Sequence, residues 1–242
     1  MFDNPRLNKN KDIINLIVSL GEKKALPKNG IDMDIVNTNS MLIEQDQFTL
    51  RWWYESLLMV NPDDRVDNVV FLDTETSHLN GFAVSIALIG YSLSTKKVLF
   101  KYYKEINPGV IMDQEAINVH HITDEQVALN EVFASIEPEI SLMIKGSMII
   151  AHNAIYDIAV LVREYERLGI IPPKMYFLDT MKRLKEEVKA KNSLGRLKDP
   201  KLSEAAAYFG IIYDENVLHN ALEDTELLSQ VFIKALEFYG KN

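Results

Sequence analysis

Cysteine is absent from the chain. That excludes a disulfide framework and a thiolate metal site, and it fits a reducing compartment. Positive charge is in short supply: 26 Lys and Arg stand against 35 Asp and Glu, for a formal net charge of -9. Phosphate binding needs local positive potential, so a chain this acidic is not a general nucleic-acid coat. Any such contact has to be confined to a patch. No apolar run reaches membrane-spanning length, and the opening MFDNPRLNKNKD lacks the basic-then-apolar form of a signal peptide. The expectation is a cytoplasmic protein with no membrane partner. Repeats and low-complexity tracts are also missing. What remains is the balance of a soluble globular protein: 242 residues, 47% hydrophobic and 25% charged.

Residues 1–66 read differently from the rest. KDIINLIVSLGEKKAL has apolar residues at helical spacing and stops near Pro27 and Gly30. QFTLRWWYESLLMV is a second helical candidate, ended by NPDD. Together they predict a small helical N-terminal extension, with Trp52 and Trp53 anchoring it by packing rather than stacking on bases. Gln45–Leu50, QDQFTL, resembles the short peptide by which bacterial replication proteins bind the sliding clamp. A pattern that short recurs by chance.

From Asp67 the pattern becomes mixed. NVVFLDTE, FAVSIALIGYSL and KVLFKYYKEI read as three successive strands, with STKK as a turn. SMIIAHN and MYFLDT read as two further strands, set between helical runs such as EVFASIEPEISLMIKG, AIYDIAVLVREYERLGI, MKRLKEEV and ALEDTELLSQVFIKALEFYG. Strands that first meander and then alternate with helices predict an α/β fold. It would hold a mixed five-stranded sheet flanked by helices over residues 67–242.

Acids recur at the ends of these elements. VVFLDTETSH is a buried-type strand that finishes in Asp73 and Glu75. Alternate strand residues point the same way, so these two share a face. Asp157 lies in the first turns of the helix after IIAHN, and Asp224 within the helix after His219. In α/β folds such ends converge on one cleft. Each residue alone has an ordinary explanation: a cap, a macrodipole partner, an ion pair, a satisfied histidine. Four clustered carboxylates, however, repel unless cations neutralise them. Oxygen ligands without cysteine point to magnesium or manganese.

In this order, FLDTET, AHNAIYD and HNALEDT resemble the three motifs of the DEDDh 3'–5' exonucleases, the DnaQ-like family of the DNA polymerase III epsilon proofreading subunit and ribonuclease T. INVHHITDEQV resembles that family's connecting stretch. The likeness runs from roughly Asp67 to Tyr239. His219 precedes Asp224 with four residues between, which fits the histidine branch rather than the tyrosine branch. The sequence departs at His78 and His121, where the family usually has glycine, and at Tyr156, where phenylalanine is commoner. Histidine lacks the backbone freedom of glycine, so a tight turn at either place is harder to make.

The resemblance implies a ribonuclease H-like fold and two divalent cations, Mg2+ or Mn2+, bridged by Asp73. Glu75 and Asp224 would complete one and Asp157 would hold the other. It implies His219 as the base that takes a proton from the attacking water. It further implies substrate contacts near Thr74, Thr76, Leu79, His120 and Asn153, and hydrolysis from a free 3' end of nucleic acid, single-stranded DNA first. The 2'-hydroxyl contacts that separate DNA from RNA are fixed by no motif here. Between Lys174 and Lys201, nine basic residues face four acids, a net +5 that could flank the cleft and meet phosphates. A solvated helix face and loop is an equal explanation. Rival readings are an exoribonuclease or oligonucleotide-trimming phosphodiesterase, a non-catalytic nucleic-acid-binding module, and an adaptor to a DNA polymerase or sliding clamp.

Overall fold

The computed structural model describes residues 68–145, 147–170, 172–173, 176–214 and 220–241. The extension read at 1–66, with Trp52, Trp53 and the clamp-like Gln45–Leu50, lies outside the described residues, as do Lys174 and His219. The elements run β1 (Asn68–Thr76), β2 (Ala83–Ser92), β3 (Lys97–Glu105), α1 (Gln114–His120), α2 (Asp124–Val127), α3 (Phe133–Ile144), β4 (Met148–Ala151), α4 (Ala154–Leu168), β5 (Tyr176–Asp179), α5 (Thr180–Arg183), α6 (Lys185–Val188), α7 (Leu202–Tyr208) and α8 (Ala221–Lys241). The predicted mixed five-stranded sheet is present, in the order β3-β2-β1-β4-β5. β1 pairs antiparallel with β2, and β2 with β3. β4 joins the other edge of β1 in parallel, and β5 joins β4 in parallel.

Alternation along β1 sorts its side chains between two cores. Val69 and Phe71 face α7 and α8, where Phe71 meets Phe232 edge-on at 5.5 Å between ring centroids. Val70 and Leu72 face α3 and α4, where Phe133 packs on Tyr165. With helices on both faces, every residue of β2 is buried, as expected for a central strand. Gly90 is required there: a Cβ would lie 2.2 Å from the Phe100 ring of the neighbouring strand. β3 is the edge, and Lys97, Lys101 and Lys104 on it oppose pairing with another chain.

Two sequence expectations need correction. MKRLKEEV is not one helix. It breaks at Leu184 into the single turns α5 and α6. His121 does not prevent its turn: it closes α1 in the left-handed region, at φ 62 and ψ 12, and its N–H bonds to the Ile117 carbonyl. The left-handed conformation costs a non-glycine residue about 1–2 kcal/mol, and the helix ends as a glycine would end it. His78 makes its turn without positive φ.

Candidate active site

The register of β1 opens the cleft. β1 pairs with β4 only from Val69 opposite Met148 to Phe71 opposite Ile150. Residues 72–76 run on past that pairing, so the carboxyl end of β1 is free on its β4 side. Asp73 and Glu75 continue the row of Val69 and Phe71, on the face covered by α8. The Phe71–Phe232 contact then sets what lies opposite them. Eight helical residues back from Phe232 is a rise of about 12 Å, and four strand residues on from Phe71 is about 13 Å. That leads to Asp224 and Glu75. Carboxylate oxygens of Asp73, Glu75 and Asp224 lie within 4.8 Å of one another. Asn220 fixes the start of α8, its Oδ1 accepting the Leu222 N–H at 3.0 Å.

Asp157 reaches the site from the opposite face. Thr74 points to the α4 side of β1, and its hydroxyl donates to Asp157 Oδ1 at 2.8 Å. Asp157 is buried and stands apart from the trio, but close enough for its charge to act on Asp73. Among the described residues, no lysine, arginine or histidine forms an ion pair with Asp73, Glu75 or Asp157. Burial, then repulsion from Asp157, Glu75 and Asp224, raises the Asp73 pKa well above the carboxylate range. Burial and the neighbouring acids push Glu75 up to about 8. Burial takes Asp157 to about 7, although hydrogen bonds, that of Thr74 first, oppose it.

These residues fit hard divalent cations. The donors are all carboxylate oxygens, spaced so that ligand bonds of about 2.0–2.6 Å can span them. Without a cation the cluster should weaken the fold in a pH-dependent way. Free carboxylates titrate near 3.9–4.3. The folded protein therefore holds these protons more tightly, and the stability this gives is lost as pH rises from about 4 through the raised values of about 7 and 8. Melting in EDTA and in saturating Mg2+ at about pH 5, 6.5 and 8 should show a Mg2+ increment that grows with pH. A constant increment would remove the cluster as its cause.

The remaining sequence candidates fall in different places. Leu79 is 78% exposed, in the turn between β1 and β2. Thr76 is buried, and its hydroxyl meets that of Tyr156. Asn153 caps α4 in the left-handed region at φ 77. His120 is buried rather than open to the cleft. Its Nδ1 accepts the Ile122 N–H at 3.1 Å, its buried Nε2 has no hydrogen-bond partner among the described residues, and burial lowers its pKa.

Three supports were not read from the sequence. Asp179 ends β5 in the same FLDT context that carries Asp73 in β1 (71–74 and 177–180), a signal that could have revealed it. Its buried carboxylate accepts the N–H of Met181 and that of Asn153, so it starts α5 and sets the entry to α4. His152 bridges Thr180 Oγ1 and the Pro200 carbonyl. Glu164, fully buried, accepts the Ala83 N–H at 2.8 Å and pairs with Arg167 at 2.7 Å, while Arg163 donates to the Gly81 carbonyl. This clamp from α4 holds the turn that carries Leu79.

Comparison with known proteins agrees with this geometry. A sequence model of the exonuclease (RNase T) family matches residues 70–232. The chain is similar to DNA polymerase III subunit epsilon of Pasteurella multocida, 27% identical over 189 residues, which is 72% of this chain and 70% of that protein. It is similar to the PolC-type DNA polymerase III of Staphylococcus haemolyticus, 27% identical over 220 residues, but that is 88% of this chain and only 14% of the relative. Exonuclease X in complex with 5' overhanging duplex DNA has a similar fold, with a TM-score of 0.54 and 18% identity over 72% of this chain and 93% of that one. So has the nuclease domain of 3'hExo, a DEDDh family member bound to rAMP, with a TM-score of 0.59 and 15% identity over 73% and 94%. The sheet is thus ribonuclease H-like.

Proposed function

The chain belongs to the exonuclease family, as a DnaQ-like 3'–5' exonuclease of the DEDDh type, and on that premise we propose that it trims single-stranded DNA from the 3' end to nucleoside 5'-monophosphates, with two divalent cations and His219 as base. One observation carries the reading. Carboxylates from β1 and α8 meet at the carboxyl end of the sheet with no cationic side chain among the described residues paired to Asp73 or Glu75, and a fourth acid stands beside them. Asp73, Glu75 and Asp224 would hold one cation, and Asp157 with Asp73 the other. Mg2+ or Mn2+ would supply Lewis-acid activation of water and stabilisation of the departing 3' oxygen. Thr74 holds Asp157 in place. Leu79 and the backbone at Thr74 and Thr76 would then receive the terminal nucleotide.

DNA is favoured over RNA because the chain's sequence relatives include a DNA polymerase III subunit and a PolC-type DNA polymerase III. Residues 1–66, apart from the catalytic domain 67–242, would then carry a polymerase or sliding-clamp contact. The test gives the full chain 5'-labelled single-stranded, duplex and mismatched DNA, and matched RNA, with Mg2+ or Mn2+. Single-stranded DNA should shorten one nucleotide at a time from its 3' end, and EDTA should stop it. Internal cuts, or loss of the 5' label as a mononucleotide, would overturn the reading. Faster loss of RNA would move it to an exoribonuclease.

A further inference from the structure

The basic segment between β5 and α8 is not uniformly available to a polyanion. Asp199 takes Lys182 at 2.6 Å and Lys185 at 3.0 Å. Lys198 is paired with Glu204. Asp179, counted in the sequence among the opposing acids, is buried at the end of β5 instead. Among the described residues, Lys189, Lys191 and Arg196 make no ion pair, and all three are exposed.

Lys191 and Arg196 stand on a small, internally braced hairpin. Lys191 bridges Leu197 in antiparallel fashion. The Asn192 N–H donates to the Arg196 carbonyl, and the Lys198 N–H to the Ala190 carbonyl, each at 2.9 Å. Asn192 Oδ1 accepts the N–H of Leu194 and of Arg196, each at 3.0 Å. Gly195 closes the turn at φ 75. Residues 191–197 are all exposed, and among them are Leu194, 74% exposed, and Leu197, 51% exposed. Neither leucine belongs to a hydrophobic core cluster of the described residues or packs against one.

The hairpin is rooted at the end of the sheet that carries the acids. The carbonyl of Pro200, just past its base, takes the hydrogen bond from His152 at 2.8 Å. His152 adjoins Asn153, the cap of the helix that bears Asp157. β5, where the segment begins, is two strands from β1, about 10 Å.

We propose that this hairpin holds the unpaired strand of the substrate behind its 3' end, with Lys191 and Arg196 on phosphates and Leu194 and Leu197 against base faces. The inference rests on the exonuclease reading and adds to it the surface that holds the strand. A duplex shows cations its phosphates but keeps its base faces stacked inside. An unpaired strand offers both surfaces, which suits exposed leucines beside unpaired cations. The braced turn is already formed, so binding orders little backbone.

Binding of 5'-labelled oligonucleotides to the full chain in EDTA, at several salt concentrations, tests this. Lys191→Ala/Arg196→Ala should weaken single-stranded binding about tenfold and lower the salt slope by about 1.4, or about 0.7 per phosphate contact. Leu194→Ser should weaken single-stranded binding severalfold, leave the salt slope alone and leave blunt-duplex binding unchanged. Turnover of a dinucleotide with Mg2+, too short to reach the hairpin, should match the parent in both variants. Unchanged single-stranded binding would make the hairpin a solvated loop. Equal loss on duplex would make it a duplex contact, and equal loss on the dinucleotide would make it a support of the cleft. Each of these three overturns the proposal while the exonuclease reading stands. A parent that neither binds nor shortens single strands would instead remove the reading on which the proposal rests.

Discussion

Asp73→Asn should lower exonuclease turnover by at least about 10³-fold while leaving the protein folded and more stable without metal. The substitution keeps the side chain's size and removes its charge. Asp73 is the acid on which the charges of Asp157, Glu75 and Asp224 all act, so no other single change relieves as much repulsion in the cluster. The same loss of charge removes the ligand that both cations would share. Two readings should therefore move in opposite directions: the melting temperature in EDTA rises, and the further rise given by Mg2+ shrinks. A merely misfolded variant would lose activity and stability together. Full turnover by Asp73→Asn, in protein free of host nucleases, would end the assignment of the site.

The acids were legible in the sequence because each closes a short local pattern. An alternating strand put Asp73 and Glu75 on one face, and two helix starts placed Asp157 and Asp224 at the same end of the sheet. The five strands followed from the same periodicity. What could not be read depends on partners far along the chain. Lys198 looks like its neighbours in sequence, and only the fold gives it Glu204. Glu164 sits in a helix like any amphipathic acid, and only the packing of α4 on the turn at residues 81–83 buries it against Arg167 and the Ala83 N–H. His121 was flagged as a poor substitute for glycine. The rule of backbone freedom states a cost, and a cost of about 1–2 kcal/mol does not forbid a turn that the rest of the fold requires. His120 was placed with the substrate by motif position alone, and the structure buries it, with Nδ1 accepting the Ile122 N–H and Nε2 without a hydrogen-bond partner among the described residues.

His219→Ala should lower turnover by about 10²–10⁴-fold without weakening the response to Mg2+. His219 lies outside the described residues, and its neighbours in sequence set its position. It immediately precedes Asn220, whose side chain starts α8, and α8 carries Asp224 in its first turn. The four carboxylates already supply an all-oxygen donor set, so a nitrogen ligand is not needed to hold hard cations. The proposed role for the side chain is proton transfer. A neutral histidine would be the base, and the ordinary histidine pKa is about 6.5. The parent's turnover should then rise with pH through that region, and the variant should lose or reshape the rise. The Mg2+ increment in melting temperature should match that of the parent, which separates loss of the base from loss of the metal site. Equal turnover for the two proteins, saturated with Mg2+ and substrate, would leave His219 with no part in the chemistry.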